Sequence, residues 1–166
     1  KRYNLRASRI MFPSTHDITS GNIENCLKLL GKLLGAGNKV LVVTKPRLDC
    51  VRRLCAELEP YKAQVLFRFT IGSTDDSVLG YWEPGAPAFA ERLAALKHAH
   101  AQCYGTSVSM EPMLDSNPGA VIDAVSPYVT DSIWIGKANR LLACEMSFKI
   151  TPIVRASGTL STTPLV

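Results

Sequence analysis

Five short apolar segments recur along the chain, and each one ends in a cluster of small or polar residues. They span residues 9–17, 39–46, 64–73, 105–114 and 132–139. A stretch with helical periodicity separates each segment from the next, and this alternation of strand and helix is typical of an α/β protein with a mostly parallel sheet. Because parallel strands all end at the same edge of their sheet, we expect the five polar endings to lie together.

Helical periodicity predicts four helices: the first is capped by Thr19 or Ser20, and the others begin after Pro46, after Pro87 and at Pro118. Apolar residues recur every three or four positions in each helix, so each should pack one face on the sheet. In the third helix the pattern assigns Arg92 to the outward, solvated face. Two loops, residues 73–87 and 112–119, are longer than the others, and long loops at this edge of a sheet commonly carry function.

Two predicted strands alternate polar and apolar residues, although strands buried between helices are normally apolar on both faces. The polar positions are Arg68, Thr70, Ser107, Ser109 and Glu111. Since the helices need the apolar face, these side chains should point into the concave side of a barrel or partial barrel. A polar interior predicts a bound polar ligand. The alternative is an Arg68–Glu111 ion pair that satisfies itself and binds nothing.

Further candidates lie where two strands are expected to end. Lys45 could bind a carboxylate ligand or be a solvated loop lysine. His16 and Asp17 could form an acid–base pair or cap the following helix, and their adjacency in the sequence favours the cap. The familiar nucleotide-binding and zinc-binding motifs are absent from the sequence.

Composition is that of one globular domain, with 166 residues of which 46% are hydrophobic and 20% charged. No long uncharged apolar run or signal peptide is present, which predicts a cytoplasmic protein without a membrane segment. Residues 1–55 carry 11 basic against 3 acidic residues, so nucleic-acid binding is permitted, although solvated helix surfaces explain the same charges. Beyond residue 140 the pattern weakens, and residues 141–166 read as a divergent tail in which only residues 148–154 predict a strand.

The cysteine content predicts no disulfide framework and no metal site. There are five cysteines, without a C-x-x-C pair, in a chain without secretory features. All five are expected to be small buried residues: Cys26, Cys50, Cys55, Cys103 and Cys144.

Several segments, in their order and spacing, resemble the radical S-adenosylmethionine (radical SAM) superfamily, and most closely its spore photoproduct lyase-like branch of DNA repair photolyase-type proteins. The segments are LVVTKP, FRFTIGS, WEPGAP followed by ERLAAL, SVSMEP and IWIGKAN. The resemblance covers about residues 9–139. It implies that residues 1–140 form strands 2 to 6 of a partial (β/α)6 TIM-like barrel, and that the first strand and its cluster loop belong to a preceding part of a longer chain.

The resemblance also implies a chemistry. In the superfamily an iron–sulfur (4Fe–4S) cluster, held by a CxxxCxxC loop, binds SAM, and an electron from a reductant such as flavodoxin or ferredoxin cleaves SAM to start radical chemistry. By resemblance, Lys45 and Thr70 lie at the SAM site. Ser14, Thr15, His16 and Asp17 are candidates for SAM or substrate contacts, and Glu111 is a further catalytic candidate. Arg68, Ser107, Ser109 and Asn139 complete the expected cofactor-binding set.

Two departures from the family pattern leave the function open. None of the cysteines has CxxxCxxC spacing, so the cluster ligands are not in this chain, and Ser14 stands where the lyase has a hydrogen-donating cysteine. One hypothesis is the carboxyl-side part of a radical SAM enzyme acting on DNA or another nucleic acid. A second is a truncated, inactive barrel that binds only SAM or nucleic acid. A third is a metal-free barrel enzyme that uses Glu111, His16 and Arg68 for acid–base chemistry.

Overall fold

A computed structural model describes residues 8–114 and 118–136, and the backbone of residues 151–155. Its sheet has five parallel strands, each within one of the five apolar segments: β1 (Ile10–Phe12), β2 (Val40–Thr44), β3 (Val65–Thr70), β4 (Gly105–Met110) and β5 (Ser132–Ile135). The order in the sheet is the order in the chain, and within the described residues the sheet is open. The prediction of an α/β fold with a mostly parallel sheet is therefore confirmed.

A sixth strand, β6 (Thr151–Arg155), pairs antiparallel with β5. It overlaps the strand expected within residues 148–154. Residues 151–155 of the expected tail thus belong to the same sheet as the preceding strands.

The helices are α1 (Ile23–Gly35), α2 (Leu48–Glu57), α3 (Asp76–Trp82), α4 (Phe89–Ala101) and α5 (Pro118–Val125). Short 3-10 turns at Glu59–Gln64 and Ser126–Tyr128 lead into β3 and toward β5. Neither Thr19 nor Ser20 caps α1. Asn22 precedes the helix instead, and its Oδ1 accepts a hydrogen bond from the Thr19 backbone N–H at 2.8 Å, because residues 19–22 first form a turn. In the described part of the chain no helix is long and apolar enough to cross a membrane.

The sequential strand order places the helices on one face of the sheet, since parallel crossovers share one hand. Neighbouring helices contact one another in the pairs α1–α2, α2–α4 and α4–α5. Under them lie fully buried strand residues such as Val42, Phe67 and Val108, and the Phe67 ring lies 5.2 Å from that of Tyr104, centroid to centroid. The opposite face carries Arg68 and Thr70, which are only partly buried. The apolar residues of the strands therefore face the helices and the polar residues face the other side of the sheet, as the alternation along the strands predicts.

Three of the four described cysteines are buried, as predicted: Cys26, Cys50 and Cys55. Cys103 is exposed, so its predicted burial is wrong. It lies in the turn between α4 and β4 with a positive φ of 59°, outside the apolar stripe of the helix. Cys144 lies outside the described residues.

Burial makes the core thiols poor nucleophiles, because the thiolate is the reactive form. It raises the pKa of Cys50 to about 11 and the pKa of Cys55 to about 12. At pH 8 we therefore expect iodoacetamide to alkylate Cys103 at least about a hundredfold faster than Cys50 or Cys55, because far less of each buried thiol is ionised. Site-resolved mass spectrometry measures the rates. In 6 M urea the difference should vanish, and equal rates in the folded protein would contradict the expectation.

Candidate functional site

The carboxyl edge of the sheet carries four charged side chains of alternating sign, which we call the rim network: Asp17, Lys45, Glu83 and Arg92. The Lys45 ammonium lies 3.3 Å from Asp17 Oδ2 and 3.8 Å from Glu83 Oε1. Arg92 Nη1 lies 2.6 Å from Glu83 Oε2. Each carboxylate and the central lysine thus touch an opposite charge.

Asp17 and Lys45 are joined by backbone as well as side-chain contacts. Asp17 follows β1 and Lys45 follows β2, and the Lys45 backbone N–H donates to Asp17 Oδ1 at 2.7 Å. The Thr44 hydroxyl also donates to Asp17 Oδ1, at 3.3 Å, and accepts from the Ile18 N–H at 3.0 Å. The Asp17 carboxylate is therefore fixed against the end of the neighbouring strand.

This geometry overturns both expectations for His16 and Asp17. The carboxylate is committed to Lys45, and α1 begins only at Ile23, so Asp17 neither pairs with His16 nor caps the helix. His16 is exposed, with Nδ1 3.4 Å from the Thr15 hydroxyl. Ser14 and Thr15 are exposed beside it. Of the candidates in this segment, only Asp17 belongs to the rim network.

The predicted outward orientation of Arg92 is wrong, since its side chain is fully buried. Its Nε donates to the Pro87 carbonyl at 2.7 Å and its Nη1 to the Thr70 carbonyl at 3.2 Å. Arg92 therefore ties the loop after α3 to the end of β3. The sequence did carry a signal, because Arg92 lies three residues after Phe89 and four before Leu96, on the face those two apolar residues define.

Glu83, which directly follows α3, is a site residue that the sequence did not predict. Its side chain is only 8% exposed and bridges Lys45 and Arg92. A buried carboxylate of this kind is stable only when it is paired. Lys45 follows β2 and is far from Glu83 in the sequence, and Arg92 lies on the next helix, α4, so the bridge depends on tertiary contacts that no local pattern marks.

A cavity of about 420 Å³ opens over the rim network. Asp17, Lys45 and Glu83 line it, together with Arg47 and Trp82. The remaining walls come from Thr19, from the loop of residues 84–87, and from Pro112 and Leu114. We call this space the rim cavity. Two acidic residues, two basic residues and one aromatic residue thus line a cavity at the edge where the sequence predicts function.

The other predicted polar residues form a separate cluster on the open face of the sheet. Arg68 Nε donates to the Ser107 hydroxyl at 3.1 Å, and its guanidinium lies 4.7 Å from the centre of the Trp134 ring. Burial lowers the pKa of Arg68, and the charges of Asp131 and Glu111 partly oppose that effect. The Ser107 hydroxyl donates in turn to the Ser132 carbonyl at 2.7 Å.

The proposed Arg68–Glu111 ion pair is not formed, since no nitrogen of Arg68 lies within 4.0 Å of a Glu111 oxygen among the ion pairs of the described residues. Arg68 stacks on Trp134 instead, and Glu111 Oε2 accepts from the Ser109 hydroxyl at 2.9 Å. Thr70 is paired in register with Ser109, and its side chain does not line the rim cavity. Asn139 lies outside the described residues.

The described residues do not fit an iron–sulfur cluster. Cys26, Cys50 and Cys55 are buried in the core on α1 and α2, and Cys103 is exposed before β4. Within residues 8–114 and 118–136 no three His, Cys, Asp or Glu side chains converge as metal ligands. The rim cavity, in contrast, is lined by both carboxylate and cationic side chains, the groups that would bind a ligand with an ammonium and a carboxylate.

Comparison of the chain with protein-family models, with curated proteins and with solved structures finds no match. Function therefore has to be inferred from the chain's own residues. Of these, the rim network and the rim cavity combine the most charge, burial and concavity at the carboxyl edge of the sheet.

Proposed function

We propose that this chain binds S-adenosylmethionine in the rim cavity, as the cofactor-binding part of a radical SAM enzyme of the spore photoproduct lyase-like branch. One observation carries the proposal: groups of both charges line a single cavity at the carboxyl ends of parallel strands. SAM has an ammonium and a carboxylate on the same carbon. A site for it needs carboxylate acceptors and cationic donors close together.

In this proposal the described sheet is part of a partial (β/α)6 barrel. Two features support it: the strands follow one another in chain order, and the face opposite the helices is polar. In barrels built from β/α units the ligand sits over the carboxyl ends of the strands. The rim cavity lies at that edge.

Each residue of the rim network has a separate role in the proposed site. The Lys45 ammonium binds the carboxylate of the ligand. Asp17, whose side chain is 38% exposed, accepts a hydrogen bond from the ammonium of the ligand. Arg92 and Glu83 lie deeper and hold the loop that closes the cavity. The chemistry that SAM supplies in this superfamily is hydrogen-atom abstraction after reductive cleavage. DNA or another nucleic acid as substrate, and flavodoxin or ferredoxin as reductant, belong to the same proposal.

The second candidate function is binding of SAM or nucleic acid without turnover. The dispersal of the described cysteines favours it, because they cannot converge on a cluster. The two candidates share the SAM site. They differ in whether the chain, joined to a segment that carries the CxxxCxxC loop and reconstituted with iron and sulfide under reducing conditions, converts SAM to methionine and 5′-deoxyadenosine.

Isothermal titration with SAM tests the shared site. We expect Lys45→Met and Asp17→Asn each to weaken SAM binding by about tenfold, because each removes one charge-assisted hydrogen bond to the ligand. Methionine should compete with SAM, since it carries the same two charged groups.

Two exposed positions supply matched controls for these substitutions. Lys28→Met on α1 and Asp123→Asn on α5 change the same charges away from the cavity, and both should bind SAM as the wild type does. Thermal melts confirm that all variants fold. The proposal fails if the wild type does not bind SAM, or if neither rim variant differs from its control.

A further inference from the structure

Two large aromatic side chains are exposed at the end of α3. Tyr81 is 78% exposed and Trp82 is 54% exposed, and their rings meet edge to face with centroids 5.2 Å apart. Exposed aromatic pairs beside a cavity commonly mark a binding surface. The two differ in one respect, because Trp82 lines the rim cavity and Tyr81 does not.

The lining of the rim cavity includes the aromatic residue Trp82 as well as the carboxylate residues Asp17 and Glu83. That combination attracts cations. An ammonium group can be held by a hydrogen bond to a carboxylate, as Lys45 is held by Asp17. A sulfonium or quaternary ammonium ion has no N–H to donate, so it is recognised through the negative face of an aromatic ring.

We infer that Trp82 determines the specificity of the rim cavity for an onium cation, and that its ring distinguishes a sulfonium ligand from the neutral thioether. The inference rests on the proposed function, because SAM is a sulfonium. It names Trp82 as the residue that recognises the positive charge on the sulfur. Asp17 and Glu83 are balanced by Lys45 and Arg92, so the face of the Trp82 ring is the group left to attract the cation. Lys45 and Arg47, the two cations of the cavity, engage Asp17, Glu83 and the Gly85 carbonyl, which limits their repulsion of the ligand.

The experiment compares two pairs of ligands that differ only in the methyl group that makes the sulfonium. The first pair is SAM and S-adenosylhomocysteine, and the second is S-methylmethionine and methionine. We expect the wild type to prefer the sulfonium of each pair by about tenfold, the size of a partly desolvated cation–π contact. Isothermal titration at constant pH gives the four affinities.

Variants at the two neighbouring aromatic residues separate recognition from general surface effects. Trp82→Leu should bind the sulfonium ligands about tenfold more weakly and leave the thioethers unchanged, which abolishes the preference. Trp82→Phe keeps an aromatic ring and should therefore retain part of the preference for the sulfonium ligands. Tyr81→Leu is the matched control, one residue away and off the cavity wall, and should keep the full preference.

The wild-type protein gives a readout that needs no variant. At saturation, S-methylmethionine should shift the indole N–H resonance of Trp82 in a ¹H–¹⁵N spectrum further than methionine does, because only the sulfonium contacts the ring as a cation. Equal affinities within both pairs, no binding of any of the four ligands, or a preference that persists in Trp82→Leu would overturn the inference. If the adenosyl ligands fail to bind while S-methylmethionine is still preferred through Trp82, the inference stands and the proposed function fails.

Discussion

Replacement of Arg92 by methionine is expected to lower the free energy of unfolding by about 3–5 kcal/mol, the cost of breaking a buried ion pair from one side. Methionine fills a similar volume but leaves the Glu83 carboxylate, only 8% exposed, without its closest positive partner. The carbonyls of Thr70 and Pro87 lose their donor as well. Urea denaturation followed by circular dichroism measures the change.

Two further variants make this prediction specific to the ion pair. The double variant Arg92→Met/Glu83→Gln should be more stable than Arg92→Met alone, because it removes the uncompensated charge together with its partner. Arg52→Met, on the exposed face of α2, should change stability by less than about 0.5 kcal/mol. A loss of under 1 kcal/mol in Arg92→Met, or no recovery in the double variant, would show that the pair does not hold the loop.

Replacement of Gly72 by alanine is expected to cost roughly 1–3 kcal/mol and to weaken SAM binding as well. A Cβ at this position would lie 2.9 Å from the Pro112 carbonyl oxygen and 2.9 Å from Leu114 Cγ. The carbonyl is backbone, so the segment after β4 has to move. Pro112 and Leu114 both line the rim cavity, and the shift is therefore transmitted to the ligand.

Gly31 provides the control for this substitution. It lies within α1, and a Cβ there would meet no atom within 4 Å, so Gly31→Ala should raise stability slightly through helix propensity. Calorimetric melts and SAM titrations of the two variants are compared side by side. If Gly72→Ala is as stable as Gly31→Ala and binds SAM equally well, the close packing of Gly72 against Pro112 and Leu114 does not shape the cavity.

The sequence predicts the parallel strands well because each is a short apolar run that a helix separates from the next. Helix α3 was not predicted, since Asp76–Trp82 has only Leu79 buried and shows no apolar stripe. A helix without a stripe leaves no periodic signal, and its Asp75 cap alone resembles a turn. The extent of an element is therefore predictable where burial is periodic.

The candidate site was predicted in its location and only partly in its contacts. Asp17 and Lys45 were both expected at the carboxyl edge, but their mutual contact joins two strands across 28 residues and has no local signature. Arg68 was correctly assigned to the polar face, yet its partner is the ring of Trp134 on β5 rather than Glu111. Register between strands decides such pairs, and a single sequence carries little information on it.

The chain-order arrangement of the strands has a consequence for synthesis. Each parallel strand pairs with the strand that follows it after one helical crossover, so the loop that must close for each pairing is short compared with the whole chain. Pairing in chain order keeps the sequence separation of each strand contact smaller than in a sheet whose strands pair out of chain order. During translation the sheet can grow by one β/α unit at a time, and β2 can dock on β1 before the ribosome has produced the residues of β4.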